Sequence, residues 1–383
     1  MLESTLSRPT YARIDLDNLA FNIRSVRRFI GEHVRCMAML KANGYGHGAV
    51  ECSRRLEREG VEWFAVATLE EALELRGSGV SKPILCLGGF YPGQEMAGLS
   101  AQVTPALFSI ESAERIDKAA SERGKPAAVH IKIDTGMGRV GVPFGQIGEF
   151  ADRLRALGNL KAEALMTHFA AADDLNEDQF TADQMAKFDQ AVTAFRDRGI
   201  RPAFIDLANS PGAVARPASR ADMVRLGGVL YGLSGDVLPP GIAKPELRPV
   251  LSLHTQIAQI KRIAAGTSIG YRRTFVATRE SLIGTIPIGY GDGFCRSLAG
   301  RGRAIVNGCI VPVIGRVSMD WVTLDLTAVP DASEGDAVIL IGSDGASSIS
   351  AEDVAAAAGT ISYEITCGLS ARVPRRCVGE ETA

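Results

Sequence analysis

The chain is predicted to be an α/β protein: a (β/α)8 TIM-like barrel followed by a mostly antiparallel β domain. Three observations carry that expectation. Between Val34 and Gly228 short apolar runs and helical stretches alternate, giving eight βα-like units. Those runs are continuously apolar rather than alternating, which suits strands covered on both faces. After Tyr231 the texture changes to a proline-rich stretch and then to β-favouring runs broken by Gly, Asn and Asp. An open doubly wound sheet is the alternative, but no GxGxxG fingerprint follows the first run. At 383 residues the chain exceeds the usual single-domain size. The expected division is a barrel over 1–240 and a β domain over 241–383.

The candidate barrel strands are 34–41, 63–67, 83–88, 103–108, 127–133, 161–168, 204–208 and 223–227. Helical segments lie between them at Ala49–Arg58, from Thr68 onward, and at Ile110–Arg123, Phe144–Leu157 and Gln179–Arg198. Thr68 with Glu71 three residues on has capping-box spacing and marks a helix start. LPPGIAKPELRP, Leu238 to Pro249, reads as a linker. Beyond it LSLHTQIAQIKRI, SLIGTIPIGYG, AIVNGCIVPVIG, WVTLDL and DAVILIG read as strands. Asn307-Gly308 between two apolar runs is a hairpin signal. Only Ser350–Ala358 reads as a helix in this part.

The composition narrows the functional classes. Hydrophobic content of 46% with 22% charged residues is ordinary for a globular chain. A net charge of −2 and the lack of basic runs argue against a nucleic-acid or acidic-membrane partner. The opening MLESTLSRPT has no apolar signal core, and no segment approaches a membrane span; the expected location is cytoplasmic. Seven scattered cysteines without a CxxC argue against a disulfide framework or a zinc site. Cys36 and Cys86 read as small core residues. Five histidines without ligand spacing give no expectation of a metal.

In a barrel the working residues sit where strands end and loops begin. The first strand ends at Lys41, in AMLKANGYGHG, with Tyr45 just after it. A lysine delivered out of a buried strand is a candidate for aldehyde capture, because desolvation lowers the pKa of its amine. The fifth strand carries Lys132 and runs into Asp134-Thr135-Gly136-Met137-Gly138-Arg139. The sixth ends at His168, the seventh at Asn209-Ser210, and the eighth at Arg225-Leu226-Gly227-Gly228. Hydroxyls and backbone N–H groups after strands seven and eight are where barrels frequently hold a phosphate. A lysine aldehyde trap beside a phosphate cradle suggests pyridoxal phosphate.

The sequence also resembles the alanine racemase family of fold-type III pyridoxal-phosphate enzymes. The matching stretches run in order through nearly the whole chain: MLKANGYGHG (39–48), HIKIDTGMGRVG (130–141), MTHFA (166–170), ANS (208–210), MVRLGGVLYG (223–232), GYRRTF (270–275), GTIPIGYGDG (284–293), GRVSMD (315–320) and SYEITCGLSARVPR (362–375). The resemblance implies a homodimer in which the β domain of one subunit completes the active site of the other, and an activity that supplies D-alanine for peptidoglycan. It implies Lys41 as the lysine that carries the cofactor and as one of two bases, and Tyr271 as the base on the opposite face. A tyrosine near its reference pKa of ~10 is a poor base at neutral pH; by resemblance His168 and Arg225 assist it, with Arg139 close by. Arg225 is implied to face the pyridine nitrogen. A guanidinium there leaves that nitrogen unprotonated. The alternative for Arg225 is a surface arginine paired with Asp222.

Tyr45, Asn209, Ser210, Gly227, Gly228 and Tyr363 match cofactor and phosphate contacts. Arg139, Tyr290 and Met319 match the substrate end, Met319 through its backbone. Lys132 matches a lysine that is often carbamylated in the family, which turns a costly buried cation into an anion able to orient Arg139. Gly228 stands where the family often has a larger apolar residue, and Phe275 where some relatives carry a second tyrosine. His47, His130 and Asp320 read as structural. A racemase of broader or serine specificity is the rival within the family, and a barrel-type decarboxylase is opposed by Arg225.

Overall fold

The computed structural model describes residues 8–379 and resolves the chain into two compact units. One unit runs from Leu19 to Arg248, and the other joins the chain up to Asn18 with the chain from Pro249 onward.

The first unit is a closed parallel barrel. Its strands, in chain order, are Arg35–Met39, Trp63–Val66, Ile84–Cys86, Val103–Leu107, Ala127–Asp134, Leu160–Met166, Phe204–Asp206 and Met223–Leu226. Each pairs in parallel with the next, Met223–Leu226 returns to Arg35–Met39, and the ring is complete. All eight candidate strands are therefore present, each within a few residues of its expected bounds. WFAV, ILC, VTPAL and MVRL are buried at every position, the pattern of strands enclosed on both faces.

The helices form where the sequence supplies caps. Thr68 accepts a hydrogen bond from the Glu71 N–H and completes a capping box ahead of Leu69–Gly77. Ser109 caps Ile110–Arg123, and Gly124 ends that helix in the left-handed conformation. Such an N-cap contributes about 1 kcal/mol. The helix Ile110–Arg123 turns Ile110, Ala113, Ile116 and Ala120 inward.

The second unit is a ten-stranded, mostly antiparallel sheet. Arg303–Val306 and Cys309–Ile314 form the expected hairpin, with Asn307 and Gly308 at φ of 46° and 74°, the pair of left-handed residues a tight hairpin turn needs. The structure departs from the sequence reading at two places in this unit. Tyr11–Asp15, expected within the barrel part, is instead a strand of this sheet: it pairs antiparallel with Leu251–Gln256 and parallel with Arg375–Val378. Its buried residues, Ala12 and Ile14, alternate with half-buried and exposed ones, which is the two-faced pattern of a sheet with one wet side. The second departure is a short helix at Ser362–Cys367 beside the expected one at Ala351–Ala358. Ile365 and Thr366 are β-branched, so local propensity hid it.

Among the described residues no helix is long and apolar enough to cross a membrane.

Candidate active site

Lys41 opens the loop after the first barrel strand, and that loop is wound the wrong way for L-residues. Ala42, Asn43 and Gly44 have φ of 52°, 53° and 62°, and Tyr45 follows at 54°. A left-handed turn costs roughly 1–2 kcal/mol for each non-glycine residue, so the surroundings must hold it. Glu71 does so from the neighbouring unit of the barrel: its carboxylate accepts the Ala42 N–H at 2.6 Å and the Ala67 N–H at 2.7 Å. Asn43 Oδ1 accepts the Ala49 N–H at 2.8 Å. His47 closes the turn through Nδ1, 2.9 Å from the Tyr45 carbonyl, and its ring lies 4.4 Å from that of Tyr231. His47 is fully buried and structural, as its sequence context suggested. Tyr231 in turn donates to the Met39 carbonyl at 2.8 Å.

The turn brings Tyr45 back over the eighth strand. A Cβ on Gly227 would stand 2.7 Å from the Tyr45 hydroxyl, so any larger residue there would displace the Tyr45 ring. Gly227 donates its N–H to Ser210 Oγ at 2.9 Å, and Asn209 caps the short helix that begins at Ser210. Tyr45, Asn209, Ser210 and Gly227 thus come together as the sequence suggested, with Gly228 buried directly after them.

Arg225 sits in the eighth strand and is 3% exposed. Its partner is not Asp222, whose carboxylate accepts the Ile205 N–H at 2.9 Å. It is Asp206, fully buried at the end of the seventh strand, which takes Arg225 Nη1 on Oδ1. Nη2 donates to the Thr167 carbonyl at 2.6 Å and lies 3.3 Å from His168 Nδ1. Burial pushes the Asp206 carboxyl up, against the pull of Arg225.

Lys132 is buried, as its place between Ile131 and Ile133 implied. Burial first, then the charges of Arg225, Arg139 and Lys41, push its amine down to about 8. The same burial and the same cations, with Lys132, push His168 down to about 2. His168 is therefore neutral, and with Nδ1 facing the Arg225 guanidinium its proton belongs on Nε2. Arg139 is exposed on the loop after the fifth strand, which Asp134 shapes by accepting the Gly136 N–H at 3.0 Å. Gln184 ties this loop to the next, donating to Thr135 Oγ1 at 3.2 Å and to the His168 carbonyl at 3.1 Å.

Four cationic side chains, Lys41, Lys132, Arg139 and Arg225, thus act on the buried His168. Asp206 and Asp134 offset only part of that charge. Such a donor set suits a ligand with several negative charges, and an aldehyde-bearing phosphate fits both the cations and the lysine.

The remaining candidates lie in the second unit. Tyr271 heads a short turn after Ser268–Ile269 and is 71% exposed. Tyr290 and Met319 are also exposed, and their loops are zipped by the Tyr290 N–H to the Ser318 carbonyl at 3.0 Å and the Gly291 N–H to the Met319 carbonyl at 2.9 Å. Tyr363 is half-buried on the helix Ser362–Cys367. Asp320 pairs with Arg372 at 2.6 Å, and His130 packs 4.8 Å from the Trp63 ring, both structural settings.

Sequence reasoning did not find Glu71's second role, Asp206 or Gln184. A single acidic residue in the apolar run FIDLA was the available signal for Asp206.

Two family models match the chain: the N-terminal domain of alanine racemase over residues 14–235 and its C-terminal domain over 250–377. The chain belongs to the alanine racemase family. The alanine racemase of Geobacter sulfurreducens is 44% identical over 374 residues, 96% of this chain and 97% of that protein. A crystal structure of alanine racemase from Bacillus anthracis with bound L-Ala-P superposes with a TM-score of 0.91 at 34% identity, covering 98% of this chain and 96% of that one. The alanine racemase from Bartonella henselae with covalently bound pyridoxal phosphate matches at a TM-score of 0.87 and 29% identity, over 97% and 99% of the two chains.

Proposed function

We propose that this protein is a pyridoxal-phosphate-dependent racemase that interconverts L- and D-alanine by a two-base mechanism, acts as a cytoplasmic homodimer with shared active sites, and supplies D-alanine for peptidoglycan. The observation that carries the reading is the convergence of Lys41, Lys132, Arg139 and Arg225 on one neutral histidine, His168, in a chain of this family. Pyridoxal phosphate, when bound, supplies an aldehyde for the substrate amine and a ring that takes up the electrons left when the α-proton departs.

The chain's own residues do the rest. Tyr45, Asn209, Ser210, Gly227, Gly228 and Tyr363 hold the phosphate. Lys41 holds the aldehyde carbon and, once displaced by substrate, moves the α-proton on one face. Tyr271 moves it on the other face. Its exposure within its own unit suits work on a second copy of the chain. Arg225 cannot give up its proton, so it donates to the pyridine nitrogen and leaves it unprotonated. Arg139, Tyr290 and the Met319 N–H orient the substrate carboxylate, with Lys132, as a carbamate, setting Arg139.

The test is racemisation of L-alanine, L-serine and a bulky amino acid with added cofactor, for the wild type and Lys41→Ala. D-alanine should form with the wild type alone, and Lys41→Ala should lose the visible absorbance of bound cofactor. An unchanged visible spectrum in that variant, or turnover of serine but not alanine, overturns the assignment.

A further inference from the structure

Asp206 is fully buried beside the site, and none of the roles above uses it. Its place becomes clear from counting the donors on Arg225. Nη1 gives its hydrogens to Asp206, one to Oδ1 and one to the backbone carbonyl at 3.3 Å. Nη2 is spent on the carbonyls of Thr167 at 2.6 Å and Leu207 at 3.1 Å, with His168 Nδ1 at 3.3 Å. Among the described residues the Nε–H is the donor left without an acceptor. The second carboxylate oxygen, Asp206 Oδ2, is buried with no hydrogen-bond partner, and Lys132 acts on the group through its charge. A buried carboxylate held this way is costly unless its charge is used against a cation.

We infer that Asp206 is the positioning residue of Arg225. It clamps the η edge of the guanidinium, so that Nε–H alone faces the ligand, and it offsets the charge. The pyridine nitrogen then meets the donor of a near-neutral pair in place of an isolated cation. The inference rests on the reading of Arg225 as the group that faces that nitrogen. It adds a carboxylate that sets how strongly the arginine acts on the ring while remaining one residue removed from it.

The test uses holoenzyme loaded with pyridoxal phosphate carrying 15N in the ring, compared among wild type, Asp206→Asn, Asp206→Glu and Arg225→Gln. Asp206→Asn keeps an acceptor but removes the charge, so Arg225 becomes a stronger donor and the ring 15N resonance should move upfield. Asp206→Glu should return it towards the wild-type position. A resonance that stays put in Asp206→Asn while Arg225→Gln moves it overturns the inference and leaves the placement of Arg225 intact. A resonance indifferent to Arg225→Gln overturns that placement, and the inference with it. A second measurement needs no Asp206 variant. In wild-type protein labelled with 15N-arginine, loading the cofactor should shift the Arg225 Nε signal and leave its Nη signals in place. Movement of the Nη signals in place of Nε overturns the clamp.

Discussion

Replacing Lys132 by methionine should make the cofactor-free protein more stable at neutral pH. The Lys132 amine falls from 10.5 to about 8 in the folded chain because burial and neighbouring cations penalise its charge. At about 1.4 kcal/mol per pKa unit, that fall is a penalty of about 3 kcal/mol. The penalty is fully present below pH 8, where folded and unfolded chains both carry the proton. It fades as pH rises towards 10.5, because the unfolded chain then binds more protons than the folded one. Methionine has similar bulk and no charge to bury. For a unit of this size the gain corresponds to a rise of about 6–12 °C in melting temperature. Melting curves in bicarbonate-free buffer at pH 6.5 and pH 10.5 read the effect directly. The variant should melt well above wild type at the lower pH and close to it at the higher. Adding bicarbonate at pH 8 should stabilise wild type and leave Lys132→Met unmoved, because the variant has no amine at that buried position to become an anionic carbamate. A wild type that melts as high as the variant at pH 6.5 refutes the burial penalty.

Two further outcomes follow from the geometry. Glu71→Ala removes the carboxylate that holds Ala42 and Ala67; at about 1.5 kcal/mol for each of the two charge-assisted bonds the cost is about 3 kcal/mol. Amide hydrogen exchange at Ala42 should accelerate and kcat/KM should fall, whereas unchanged exchange would remove Glu71 as the brace of the left-handed turn. Tyr271→Phe should slow α-proton exchange with D2O by about 10²–10⁴-fold for L-alanine, the range for a lost general base, and far less for D-alanine. Equal loss for both enantiomers contradicts the two-base assignment.

Much of this was legible in the residues because the barrel repeats a simple pattern. Continuous apolar runs such as WFAV and ILC suit strands covered on both sides, and the charged residues set into strands of that kind, Lys132 and Arg225, lie inside. What escaped was set by contacts distant in sequence. Nothing local shows that the Glu71 of a capping box also reaches back to Ala42, or that Arg225 prefers Asp206 over the nearer Asp222. The left-handed run at Ala42–Tyr45 contradicts local preference and stands only because Glu71, Asn43 and His47 over-determine it. Tyr11–Asp15 was hidden for a similar reason, since its partners begin at Leu251 and Arg375.

Shared active sites are tested most directly by mixing two inactive proteins. Lys41→Ala and Tyr271→Phe subunits, unfolded together and refolded at equal concentration, should yield about one quarter of wild-type racemase activity, because half of the two-fold dimers are mixed and each of those regains one of its two sites. Activity no higher than the sum of the two separate variants contradicts a site built by Lys41 of one subunit and Tyr271 of the other.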